Sequence, residues 1–192
     1  MQRFWKMSGA GNDFVLVESS ALKGRTAPAL AKRLCDRKRG IGADGLLIVD
    51  PRGPRLRYLN SDGSETFCGN GSRCAASWLA RQGWATGPEF ILESSVGPLR
   101  ARLTGSERAA IEMPTPRLLR GVFKLKAAGR RWEVSHWHTG VPHAVVLGKD
   151  AQKAPVLEAG RALRRHRAFG KDGANVNFVE RLESVRIDVQ DA

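Results

Sequence analysis

The second half of the chain replays the first, and this repeat constrains the fold more than any single element does. At an offset of about 127 to 130 residues, Ala27-Pro28 at the head of a basic Ala/Leu stretch is echoed by Ala154-Pro155, and the turn Gly42-Ala43-Asp44-Gly45 by Gly170-Lys171-Asp172-Gly173. Leu46 to Val49 then answers to Val176 to Val179, and Arg55-Leu56-Arg57-Tyr58 to Val185-Arg186-Ile187-Asp188. The likeness is of pattern more than identity. Between the copies, Met113-Pro114-Thr115-Pro116 carries two prolines that punctuate the chain and suit a linker. Two pseudo-symmetric domains are expected, 1–116 and 117–192.

Within each copy, short apolar runs read as strands: Phe14 to Val17, Leu46 to Val49, Phe90 to Leu92, Ala144 to Leu147 and Val176 to Val179. Three stretches, Ala27 to Arg37, Ser72 to Gln82 and Ala154 to Arg165, place apolar residues at three- and four-residue spacings and read as helices. Strands outnumber helices, so the fold class is α+β.

A length of 192 residues with 42% hydrophobic and 27% charged residues allows a real core. No apolar run approaches the roughly 18 residues of a membrane span, and no signal-peptide stretch follows the N-terminus, so a soluble cytoplasmic protein is expected. Three cysteines without metal-like Cys/His spacing argue against a disulfide framework and a zinc site. The net charge of +13 raises nucleic acid as a partner. The basic residues are scattered, however, and no nucleic-acid-binding signature accompanies them, so solvated basic faces are the simpler reading.

The run Asn60-Ser61-Asp62-Gly63-Ser64-Glu65-Thr66-Phe67-Cys68-Gly69-Asn70-Gly71-Ser72-Arg73-Cys74 sets a cysteine in a polar, Gly-rich loop just before a helix. A thiol at the positive end of a helix has its thiolate favoured and its pKa lowered. Gly69 and Gly71 allow close approach of a ligand, and the N–H groups from Gly69 onward can hold a carboxylate. An ordinary buried cysteine beside an ordinary loop accounts for the same residues, and the residues alone leave both readings open. Cys74, six positions on, reads as core packing, and Cys35 lies on the first helix.

Together with these residues, Lys6-Met7-Ser8-Gly9-Ala10-Gly11-Asn12-Asp13-Phe14, Gly40-Ile41-Gly42-Ala43-Asp44-Gly45, Gly140-Val141-Pro142-His143-Ala144-Val145 and Asn175-Val176-Asn177-Phe178-Val179 resemble the diaminopimelate epimerase family over essentially the whole chain. The resemblance implies two similar strand-rich domains, each around a central helix. It implies inversion of one α-carbon of LL-diaminopimelate to the meso form for lysine and peptidoglycan synthesis, with two cysteines and with neither cofactor nor metal. Carried over by position, Cys68 is one catalytic cysteine, and Gly69 and Asn70 offer backbone N–H groups to the reacting carboxylate. Asn12, Asn60 and Asn175 bind the amino-acid substrate, and His143 adjusts thiol acidity. A homodimer is compatible with the family.

The chain departs from the pattern at Val141, where many members carry asparagine, and in a spacing from Asn60 to Cys68 that is one residue short. The family's glutamate-arginine pair and second cysteine motif are absent up to residue 192. By the repeat they belong at about position 198 or later, so the chain is expected to be a fragment whose second domain lacks its central helix and which is poorly soluble alone. Two other readings compete: an amino-acid racemase of the same fold, proline racemase-like, and a catalytically silent fragment that only binds substrate.

Overall fold

A computed structural model describes residues 3–182 and 187–191. The chain forms two compact units, Met1–Pro114 and Thr115–Ala192.

In the first unit, β1 (Trp5–Gly9) and β2 (Asn12–Glu18) make an antiparallel hairpin. Its two-residue turn, Ala10-Gly11, has both residues at positive φ (48° and 88°), the conformation that matches the twist of paired strands. The helix α1 (Ala27–Cys35) crosses from β2 to a parallel partner, β3 (Gly45–Asp50), which pairs antiparallel with β4 (Arg55–Asn60). Thr26 caps α1 by accepting from the Ala29 N–H, and Pro28 sits in the first turn, where a missing N–H costs nothing. The short β5 (Glu65–Thr66) folds back onto β4 and leads into α2 (Gly69–Arg81), after which β6 (Glu89–Ser94), β7 (Gly97–Gly105) and β8 (Arg108–Ile111) complete a sheet ordered β1-β2-β3-β4-β6-β7-β8.

Side chains on β2 and β3 alternate between two cores. Val15, Val17, Leu46 and Ile48 pack under α1 with Leu30, Ala31 and Cys35. Phe14, Leu16, Leu47 and Val49 pack on the other face with Cys74, Ala75, Trp78 and Leu79 of α2. Both faces of these strands are therefore buried, which is why their sequences are continuously apolar rather than alternating. The sheet wraps α2, which touches strands from β1 to β8, while α1 lies outside.

The second unit repeats the motif. Its strands are β9 (Arg117–Ala127), β10 (Arg130–His138), β11 (Pro142–Gly148), β12 (Asn175–Arg181) and β13 (Ile187–Asp191), ordered β13-β12-β11-β10-β9. Here too β11 and β12 are parallel, joined by a helical crossover (Val156–Gly160 continuing as α3, Arg161–Arg164), and β12 pairs antiparallel with β13. The succession β1-β2-α1-β3-β4 thus recurs as β10-β11-α3-β12-β13. Val185 and Arg186, matched above to Arg55 and Leu56, lie outside the described residues.

The crossover covers one face of this sheet, burying Val134, Ala144, Val146, Val176 and Phe178 with Ala159, Leu163 and Phe169. The opposite face carries exposed apolar residues, with Val122 76% and Leu147 64% accessible. No helix among the described residues is long and apolar enough to cross a membrane.

Candidate active site

Cys68 occupies the residue immediately before α2, in extended conformation (φ −144°, ψ 111°), and its sulfur accepts the Gly71 N–H at 3.3 Å. The first four N–H groups of any helix lack intrahelical carbonyl partners, and here the thiol takes the place of the usual Ser or Asp cap. The Cys68 carbonyl closes the first turn by accepting from the Ser72 N–H at 2.9 Å and from its hydroxyl at 2.9 Å. α2 begins at Gly69, three residues earlier than the apolar spacing predicts. The cause is packing. Gly71 lies against Leu47, where an added Cβ would come within 2.8 Å of the leucine methyl, so a larger residue would have to push that buried side chain aside for the turn to settle onto β3.

The thiol's acidity differs from the expectation for a helix N-terminus. Burial pushes the Cys68 thiol up, and the opposing pull of the Gly71 and Asn70 N–H groups and of Arg73 does not overcome it. In the free protein Cys68 is therefore a thiol with its hydrogen-bond donors already arranged for the thiolate. Burial also raises Cys74 and Cys35, each to about 11, in keeping with their packing roles.

The expected substrate-binding asparagines of the first unit do not stand alone. Asn70 Nδ2 donates to Asn12 Oδ1 at 3.0 Å, and Asn12 Nδ2 donates to Asp44 Oδ2 at 3.1 Å. Arg73 donates to the Asn70 side-chain oxygen. The structure therefore brings Cys68, Gly69, Asn70 and Asn12 to one end of α2. Asn60, the last residue of β4, is tied instead to the turn that follows it. It accepts from the Tyr58 hydroxyl at 2.9 Å and donates to Ser64 Oγ at 2.9 Å, while Asp62 Oδ1 accepts from the Ser64 N–H at 2.8 Å.

Behind Asn12 lies an ion network that assigning roles motif by motif misses. Arg37 reaches Asp13 through two bonds, at 2.8 and 3.1 Å, and Asp44 Oδ1 at 2.8 Å. Lys6 donates to Asp13 Oδ2 at 2.7 Å and also to the Gly42 carbonyl. Asp44 Oδ2 accepts the Asp13 N–H at 3.1 Å. Asp13 and Asp44 both sit inside the motifs noted above, and their charge beside asparagines was the available signal.

Arg37 first, and then Lys6, hold the Asp13 carboxyl well below the usual carboxylate range. A folded-state pKa depressed in this way contributes stability that is present above the unfolded value of about 3.9. That contribution is lost as pH falls through the lower folded value. Arg37→Ala should therefore lower the urea midpoint near neutral pH, where that contribution is fully present, and parent and variant should converge as pH falls below about 3.9, as followed by circular dichroism.

In the second unit, His143 and Asn175 lie opposite one another on the parallel pair β11 and β12. His143 Nδ1 is 2.8 Å from Asn177 Oδ1, and Asn175 Oδ1 accepts from Arg164 at 2.6 Å. His143 and Asn177 line an open cavity of about 620 Å³ whose other walls include Trp137, Val145 and Leu147. Among the described residues no cluster of three or more His, Cys, Asp or Glu side chains is arranged to hold a metal ion.

The family model for diaminopimelate epimerase matches residues 4–119, more than half of the chain. The chain belongs to the diaminopimelate epimerase family. Similar relatives include the diaminopimelate epimerases of Gemmatimonas aurantiaca, 38% identical over 92% of this chain and 66% of the relative, and of Aquifex aeolicus, 34% identical over 97% and 72%. The chain thus spans about two thirds of the first relative's length and 72% of the second's. Among solved structures, a probable proline racemase from Agrobacterium radiobacter superimposes with a TM-score of 0.75 at 15% identity, over the whole of this chain and 70% of the racemase. A hydroxyproline epimerase from Agrobacterium vitis gives 0.70, also at 15%, over the whole of this chain and 71% of that one. These two likenesses speak for the fold alone. They agree with the α+β, strand-rich reading, and family membership agrees with the sequence resemblance.

Proposed function

We propose that this chain carries the Cys68 half of a cofactor-independent epimerase site for LL-diaminopimelate. The observation that carries the reading is the placement of Cys68 as the cap of α2, with backbone N–H groups and the Asn12–Asn70 pair gathered at the same helix end. An α-amino acid carboxylate at the start of α2 meets the Gly69 and Asn70 N–H groups, as anions do at helix N-termini. The Cys68 thiolate then takes the α-proton to form S–H, and the electron pair of the broken Cα–H bond delocalises into that carboxylate, whose growing charge the same N–H groups stabilise. Return of a proton to the opposite face gives the meso isomer. Asn12, Asn60 and, from the second unit, Asn175 contribute substrate contacts, and His143 tunes thiol acidity. Pairing with a second copy and a cytoplasmic setting fit this reading.

Incubation of the 192-residue chain with LL-diaminopimelate in D2O tests it. Deuterium at one α-carbon of recovered LL isomer is expected if Cys68 removes the proton and returns solvent deuterium to the same face. Meso product would show delivery to the opposite face as well. Exchange of proline or hydroxyproline with diaminopimelate untouched would overturn the substrate assignment, and a folded chain that exchanges none of them would leave only ancestry.

A further inference from the structure

The repeat supplies a way to separate packing from function in the second unit. Phe14 faces Gly45 across the parallel strands of the first unit, and His143 faces Asn175 across those of the second. Counting two residues along the second strand of each pair matches Leu47 to Asn177. In the first unit this diagonal pair is Phe14 and Leu47, both fully buried beneath α2. In the second unit the same two places hold a histidine and an asparagine joined at 2.8 Å. Apolar residues satisfy the fold at these positions, so packing does not call for the polar pair.

We infer that Asn177 is a positioning residue which fixes His143 in the Nδ1–H form and leaves the lone pair of the neutral ring at Nε2. Donor and acceptor chemistry sets the tautomer. The atom facing Nδ1 is Asn177 Oδ1, and an amide oxygen can only accept. Nδ1 must therefore carry hydrogen whether the ring is neutral or charged, and Nε2 is left with the lone pair in the neutral ring. β11 and β12 hold the two side chains on one face of the sheet, at diagonal positions within reach of long side chains. Glu133, Ser135 and Thr139 bring other acceptors to the cavity beside them, and Ser135 takes the Trp137 indole N–H at 3.0 Å, but the side-chain atom at hydrogen-bond distance from the His143 ring is Asn177 Oδ1. The tautomer follows from the Asn177 contact and its acceptor chemistry. Its bearing on turnover rests on the proposed reading of His143 as part of the substrate site.

The test is a long-range 1H–15N correlation on the labelled chain at a pH where imidazoles are neutral, with His143 assigned by its loss in His143→Gln. The parent should show a pyrrole-type Nδ1 and a pyridine-type Nε2. Asn177→Leu, which installs the residue found at the matching place in the first unit, should move His143 toward the Nε2–H form that free imidazole side chains prefer. Asn177→Asp, which keeps an acceptor, should retain Nδ1–H. An Nε2–H tautomer in the parent, or one unchanged by Asn177→Leu, overturns the inference. The signals of His136, His138 and His166 report whether a variant has kept the fold, and if Asn177→Leu has not, the parent spectrum and Asn177→Asp still decide. No substrate enters this experiment, so failure of the epimerase reading in the D2O assay would leave its outcome intact.

Discussion

Cys68→Ala should lower the rate of α-deuterium incorporation into LL-diaminopimelate by about 10²- to 10⁴-fold, the range over which a positioned base contributes to proton transfer. The alanine variant also loses a helix cap, which costs about 0.5 to 2 kcal/mol, so loss of exchange alone does not separate chemistry from folding. Cys68→Ser does separate them, because a hydroxyl can still accept the Gly71 N–H yet is far too weak an acid to supply a base. Serine should keep the melting temperature close to that of the parent and lose exchange as completely as alanine. The parent's pH profile adds a second check. Burial holds the Cys68 thiol above its ordinary value, so the thiolate is scarce at neutral pH and the rate should climb with pH toward that raised value. A rate that is flat across the neutral and mildly alkaline range, or a serine variant with exchange intact, would remove Cys68 from the role of base.

How much of this site could be read in advance depended on how local its causes were. The strands around Phe14 to Val17 and Leu46 to Val49 were legible because burial on both faces leaves a continuous apolar run. The repeat was legible because turn and strand residues recur in order. The parallel pairs β2-β3 and β11-β12 were not legible, because no single window of sequence shows which strands meet. The start of α2 was not legible. Gly69-Asn70-Gly71 has poor helix propensity, and its helicity comes from the Cys68 cap and from the space beside Leu47, a residue more than twenty positions away.

The acidity of Cys68 was misjudged for a related reason. Position at a helix N-terminus is visible in sequence, whereas the extent of burial is a property of the folded sheet around it. The partners of the site asparagines were hidden by separation along the chain. Asp13, Arg37 and Asp44 meet across 24 and 31 residues, and a chain with 32 basic residues gives no reason to single out Arg37. His143 carried a signal only through the family resemblance, and Asn177 only through the company it keeps in the fold.

The largest effect on stability is expected at the helix that carries the thiol. Trp78 is 2% exposed at the centre of the α2 face, edge-on to Trp5 at a centroid distance of 4.9 Å, and it shares a core with Leu47, Tyr58 and Phe90. Trp78→Ala should destabilise the first unit by about 3 to 5 kcal/mol, the transfer and cavity cost of deleting a buried aromatic side chain. That is a large part of the roughly 5 to 15 kcal/mol that holds a domain folded. Trp78→Phe should cost far less. The Trp78 indole N–H has no hydrogen-bond partner among the described residues, and removing a buried unsatisfied donor recovers about 1 to 3 kcal/mol, which offsets much of the lost contact area. Urea unfolding followed by circular dichroism should therefore rank the parent and phenylalanine variant close together and the alanine variant well below them. A Trp78→Ala cost under about 1 kcal/mol, far below the range for a buried aromatic, would mean that α2 is not the central support of this unit, and that the positioning of Cys68 must come from the β4–β5 turn that precedes it.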